Sequence, residues 1–130
     1  MARPPSRHPT ELELEILKVL WRDGPATVRA VRDALADQRD LAYTSVMTIM
    51  NIMVNKGYLK RAKQNGSYVY TPRVSEKVTT RGMLGDLVDR AFEGSAMAVM
   101  LNLLETSDID AEELKRLRTL ISHKAREKSP

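Results

Sequence analysis

A chain of 130 residues with 42% hydrophobic and 29% charged side chains is sized for one domain, or for one small domain with a helical appendage, and a two-lobed enzyme is excluded. It has no cysteine, and its only histidines are His8 and His123, so disulfides and thiolate metal sites are excluded and neither a metal nor a cofactor is expected. The net charge of +4 is concentrated at one end: residues 1–72 hold 11 basic and 7 acidic side chains, whereas residues 73–130 hold 10 of each.

No apolar run approaches the roughly 18 residues that span a bilayer. The opening stretch, with Arg3, Pro4, Pro5 and Arg7, lacks the apolar segment of a secretory signal. A cytoplasmic location without stable membrane association is therefore expected. Between Leu41 and Ser75 there is no Asp or Glu, yet this stretch carries Lys56, Lys60, Arg61, Lys63 and Arg73. A polyanion can approach it without meeting a carboxylate from the segment. An ordinary solvated face has the same composition, so the neighbouring pattern has to decide.

Residues 1–9 are Pro-rich and expected to be flexible. Thr10 followed by Glu13 has the spacing of a reciprocal helix cap. Leu12, Leu14, Ile16, Leu17, Val19, Leu20 and Trp21 then form one broad apolar face, which Asp23-Gly24-Pro25 stops. Thr27 caps a second helix with Val28, Val31, Ala34 and Leu35 on one side, ending near Gln38. In a third helix, near Tyr43 to Lys56, a core-facing stripe is formed by Val46, Ile49, Met50, Met53 and Val54 before Gly57 ends it. The opposite side carries Thr44, Thr48, Asn51 and Asn55. Exposed helix faces are ordinarily filled with Glu, Lys and Arg, which are better helix formers. Short polar side chains suit base edges in a major groove, where Asn pairs with adenine and Thr methyls touch thymine. Merely tolerated polar positions are the alternative.

Tyr58 to Gln64 and Ser67 to Pro72 are β-prone segments separated by Asn65-Gly66, a strong hairpin signal. Three helices and a hairpin with basic residues on its first strand make a winged helix-turn-helix over residues 10–73, the hairpin being the wing. From Val74 onward three amphipathic helices are expected, marked by Leu84, Leu87, Val88 and Phe92, by Met100, Leu101 and Leu104, and by Leu114, Leu117 and Ile121. Asp110 with Glu113 caps the last of them. Such short helices bury little area alone, so residues 74–125 read as a dimerisation region with those ten side chains at the interface. Packing back onto the head as a monomer is the other arrangement. A flexible end is expected over residues 126–130. The fold class is thus mainly α, an N-terminal winged helix-turn-helix followed by a C-terminal three-helix dimerisation region.

Gly82 and Gly85 sit inside a helical pattern and are expected to let another helix approach. Met47, Met50, Met53, Met97 and Met100 are expected in the core. There is no glycine-rich phosphate loop and no nucleophile–base pair, so catalysis is not expected and no catalytic residue is assigned.

The string Leu41-Ala42-Tyr43-Thr44-Ser45-Val46-Met47-Thr48, followed by Asn55-Lys56-Gly57-Tyr58-Leu59, closely resembles the recognition-helix signature of the penicillinase repressor (BlaI/MecI/CopY) family. The opening Glu11 to Leu17 with Trp21, the Thr27-Val28 pair, the Tyr68-Val69-Tyr70 strand and Asp110 to Leu114 are similar too, which covers nearly all of residues 10–123. The resemblance implies a transcriptional repressor acting in antibiotic response, a homodimer with its head on double-stranded palindromic operator DNA and its tail as dimer interface. It also implies relief by a sensor protease, whose cut falls at Asn102-Leu103 here. Where family members commonly carry Arg, this chain has Ile52, which shifts weight toward the wing. The copper-responsive branch senses metal through tail cysteines, and that mode is excluded here.

The expected site accordingly places Tyr43, Thr44, Ser45, Thr48 and Asn51 in the groove and Lys56, Lys60, Arg61 and Lys63 on phosphates. The rival reading is a winged-helix protein–protein module whose basic face docks an acidic partner.

Overall fold

The computed structural model describes residues 8–129. Its elements run α1 (Glu11–Asp23), α2 (Val28–Leu35), α3 (Tyr43–Lys56), β1 (Leu59–Gln64), β2 (Ser67–Pro72), α4 (Glu76–Ala91), α5 (Ala96–Thr106) and α6 (Ala111–Lys128). This is the mainly helical architecture with a hairpin after the third helix that the pattern predicts. The expected flexible start lies outside the described residues except for His8 and Pro9. At the other end, α6 continues past residue 125 to Lys128, because no Gly or Pro interrupts it.

The helix starts are locally encoded. The Thr10 hydroxyl accepts the Glu13 N–H at 3.2 Å while Glu13 Oε1 accepts the Thr10 N–H at 2.9 Å, so two of the orphan donors of α1 are satisfied. Thr27 accepts the Ala30 N–H to open α2. That helix stops at Leu35 rather than near Gln38, since Ala36, Asp37 and Gln38 are exposed and bury no apolar side chain. No side chain caps α3, whose N-cap is Ala42, and its place is set instead by Val46, Met50 and Met53, all fully buried. Gly57 ends it in the left-handed region (φ +88°), where a Cβ would be strained.

Asn65 (φ +49°) and Gly66 (φ +83°) form the two-residue turn that the twist of the flanking strands favours. The antiparallel register runs from Gln64 opposite Ser67 to Leu59 opposite Pro72. The base of the hairpin is clipped to the helices: the Ala26 N–H donates to the Tyr70 carbonyl at 3.1 Å, and the Tyr70 N–H donates to the Ala26 carbonyl at 2.8 Å. Around this clip the core collects Ile16, Leu17, Val19 and Leu20 from α1, Val28, Val31 and Leu35 from α2, the three α3 residues, Leu59 and Tyr70. Burying each such side chain contributes about 1.5–3 kcal/mol. Trp21 is half-buried, and its indole N–H donates to the Val74 carbonyl at 2.9 Å, holding the segment after β2 to the end of α1.

The chain divides into two compact units, one reaching Gly85 and the other beginning at Asp86, so the division falls inside α4 rather than at residues 73–74. The first turns of α4 stay with the first unit because Thr79 is buried there. Gly82 does face a close neighbour, but it is the His8 imidazole, 3.3 Å from where a Cβ would stand, and not a helix; Gly85 has open space.

In the second unit, Ser95 and Asp110 cap α5 and α6 by accepting the Ala98 and Glu113 N–H groups. Neither helix has a buried residue. Met97 and Met100 are exposed, against the core expectation for them, whereas Met50 and Met53 fulfil it and Met47 packs half-buried against the core. An apolar groove of about 400 Å³ runs between α5 and α6, lined by Met100, Leu103, Leu104, Leu114, Leu117 and Ile121. Among the described residues no helix is long and apolar enough to cross a membrane.

Candidate nucleic-acid interface

The core stripe of α3 turns its other side outward. Tyr43, Thr44, Ser45 and Thr48 are exposed there, Asn55 and Ile52 with them, and Asn51 is half-buried at the edge nearest the hairpin. The Thr48 hydroxyl donates to the Thr44 carbonyl at 2.9 Å, so what Thr48 offers outward is a methyl group and oxygen lone pairs.

Asn51 is more constrained than its position on the helical wheel implies. Its Oδ1 accepts two hydrogen bonds of 2.7 Å, one from Arg61 and one from the buried Tyr70 hydroxyl. Arg has no acceptor, so the atom facing it is the oxygen, and both lone pairs of that oxygen are occupied. Pairing with adenine requires an amide that accepts and donates together. In this arrangement Asn51 keeps only its N–H donors, which suit base acceptors, and the expected adenine pairing is not open to it. The same contacts brace the wing against α3, helped by the Arg61 guanidinium lying 4.4 Å from the Tyr68 ring centroid.

The four expected phosphate ligands separate into three environments. Lys56 Nζ lies 2.9 Å from Glu13 Oε2, and that carboxylate side chain is only 4% exposed. Lys56 therefore neutralises a buried charge at the capped end of α1 and is not available as a free cation. Burial, with the Glu13 charge nearby, also pushes the Tyr58 hydroxyl above the ordinary phenol range, and Lys56 partly offsets this. Arg61 and Lys63 alternate with Leu59 and so share the sheet face of Tyr68 and Tyr70, whereas Lys60 lies on the opposite face. Lys60 and Lys63 are exposed and have no acidic partner among the described residues.

Arg29 and Arg32, which sequence reasoning did not assign, complete the basic surface. They line a groove of about 690 Å³ with Thr27, Tyr43, Ser67 and Tyr68, between the start of α2, the start of α3 and the wing. Neither arginine is ion-paired among the described residues. The signal was present in the i, i+3 spacing of the two arginines along one flank of the apolar face of Val28, Val31 and Leu35. The groove also has the N-terminus of α2 in its wall, where backbone N–H groups favour an anion.

Of the expected interface residues of the tail, Leu84, Leu87, Met100, Leu101, Leu104, Leu114, Leu117 and Ile121 are each at least 40% exposed, and Val88 and Phe92 are half-buried. Asn102 and Leu103 are exposed within α5.

The family model described as penicillinase repressor matches residues 9–123. The chain is 26% identical to the penicillinase repressor of Bacillus licheniformis over 120 residues, covering 92% of this chain and 94% of that one. It is 31% identical to the transcriptional regulator BlaI of Mycobacterium tuberculosis over 114 residues, 86% of this chain and 81% of the relative. It is also 21% identical to the methicillin resistance regulatory protein MecI of Staphylococcus aureus over 112 residues. Head, wing and tail alike fall within the matched span, and the chain belongs to the penicillinase repressor family.

Proposed function

We propose that this chain is a sequence-specific transcriptional repressor that binds palindromic operator DNA as a homodimer. The observation that carries the reading is the uncharged outer face of α3, with Thr44, Ser45 and Thr48 exposed, flanked by the unpaired cations Arg29, Arg32 and Lys63. The helix enters the major groove and reads base edges, while the α2 groove and the wing hold phosphates and fix register. The exposed leucines of α5 and α6 pair with those of a second copy, and a two-fold dimer matches two half-sites.

Relief of repression by a sensor protease at Asn102-Leu103 belongs to the same proposal. Both residues are exposed, but the Asn102 carbonyl accepts the Thr106 hydroxyl at 2.7 Å within α5, so that helix has to unwind locally before a protease can hold it extended.

Fluorescence anisotropy on the chain's own upstream promoter against a scrambled duplex tests the reading. Preference for the promoter of about a thousandfold, with a dimer mass by light scattering, is expected. Equal, steeply salt-dependent binding to both duplexes, or none, would instead favour the acidic protein partner. Arg29→Ala is expected to weaken binding equally on both duplexes and to lower the slope of log affinity against log salt by about one. A loss confined to the promoter would remove Arg29 from the phosphate contacts.

A further inference from the structure

Ile52 does not belong to the α3 core. Val46, Met50 and Met53 fill that core with no exposed surface, while Ile52 keeps 43% of its surface exposed on the far side of the helix. Its helical neighbours there are Thr48, four residues before it, and Asn55, three after it, both exposed. A β-branched aliphatic residue is a poor choice for a solvent-facing helix position on propensity alone. It can neither donate nor accept a hydrogen bond, so any base atom it covers must be one that does not need water.

In the major groove one such group exists. Thymine presents a 5-methyl, whereas cytosine, adenine and guanine present polar atoms or hydrogen in its place. We propose that Ile52 is a specificity-determining residue that packs against the 5-methyl group of a thymine in each half-site. Thr48, one turn before Ile52, has its hydroxyl hydrogen committed to the Thr44 carbonyl and so offers no donor there. The two edges of α3 thus differ: Asn51 is held to the wing through its Oδ1, whereas Ile52 exposes only hydrocarbon.

This inference rests on the DNA-binding reading of α3, and its test separates the two. The full-length protein is used to select binding sites from a random duplex library. Each thymine of the selected site is then replaced, one at a time, by deoxyuridine, which removes only the methyl group. Wild type is expected to lose about three- to fivefold in affinity at one thymine per half-site. Ile52→Ala should bind the unmodified site more weakly by a similar factor and be indifferent to that replacement. The variant keeps a helix-favouring residue at a position outside the core, and the single Trp21 reports its folding. If wild type tolerates every deoxyuridine, or if Ile52→Ala shows the same losses as wild type, Ile52 does not read the methyl. If selection yields no consensus, the repressor reading falls and the Ile52 contact falls with it.

Discussion

Replacing Lys56 by Met is expected to lower the unfolding free energy by about 3 kcal/mol, the loss that follows when one partner of a buried ion pair is removed. Glu13 then has a buried carboxylate facing apolar surroundings, with only the Thr10 N–H left as a partner. The double replacement Glu13→Gln with Lys56→Met removes both charges and is expected to recover much of the loss, because the penalty lies in the unpaired charge. Urea unfolding followed by Trp21 fluorescence measures both. Should Lys56→Met cost less than about 0.5 kcal/mol, the range of an exposed ion pair, the pair would be a solvated one despite its burial. The result also separates two kinds of lysine in the first unit. Lys60 and Lys63 should respond in the opposite way, with stability unchanged and DNA affinity reduced.

Leu117→Asp is expected to abolish the proposed dimer and to weaken promoter binding by at least about a hundredfold, because the second head then no longer binds at the effective concentration set by the first. Leu117 is one of the residues lining the apolar groove between α5 and α6. A carboxylate placed there is buried without a partner whenever a second copy docks. Sedimentation velocity at several concentrations reads the mass, and circular dichroism checks that the helices remain. A variant that stays dimeric would move the interface away from this groove. One that becomes monomeric yet binds the promoter at full strength would show that pairing is not what gives affinity.

Local sequence specified most of the fold. Thr10, Thr27, Ser95 and Asp110 open helices through hydrogen bonds to residues three positions on, and Asn65-Gly66 closes a two-residue turn, so each signal lies within the distance it controls. The outward exposure of Tyr43, Thr44, Ser45 and Thr48 was legible for the same reason, since helical periodicity alone separates them from Val46 and the core. Contacts between distant segments were not legible. Lys56 meets Glu13 across 43 positions, and Tyr70 meets Asn51 across 19, so composition showed a cation and an amide but not what occupies them. Met97 and Met100 failed in another way: periodicity identified an apolar stripe and was silent about whether this chain covers it. Arg29 and Arg32 were overlooked because the acid-free stretch begins after them, although folding brings α2 beside the wing.

The Ala26–Tyr70 bridge gives the wing two mechanical regimes. A two-stranded hairpin is marginal in water by itself. Here the end carrying Leu59 and Tyr70 shares the cooperativity of the helical core, while the end carrying Lys63, Asn65 and Gly66 hangs beyond the last buried side chain. In the proposed binding mode the tip can therefore adapt to the contour of a phosphate backbone at almost no cost to the rest of the head. Affinity is then tuned by substitutions at the tip, a handful of positions at which the stability of the protein is largely indifferent to change.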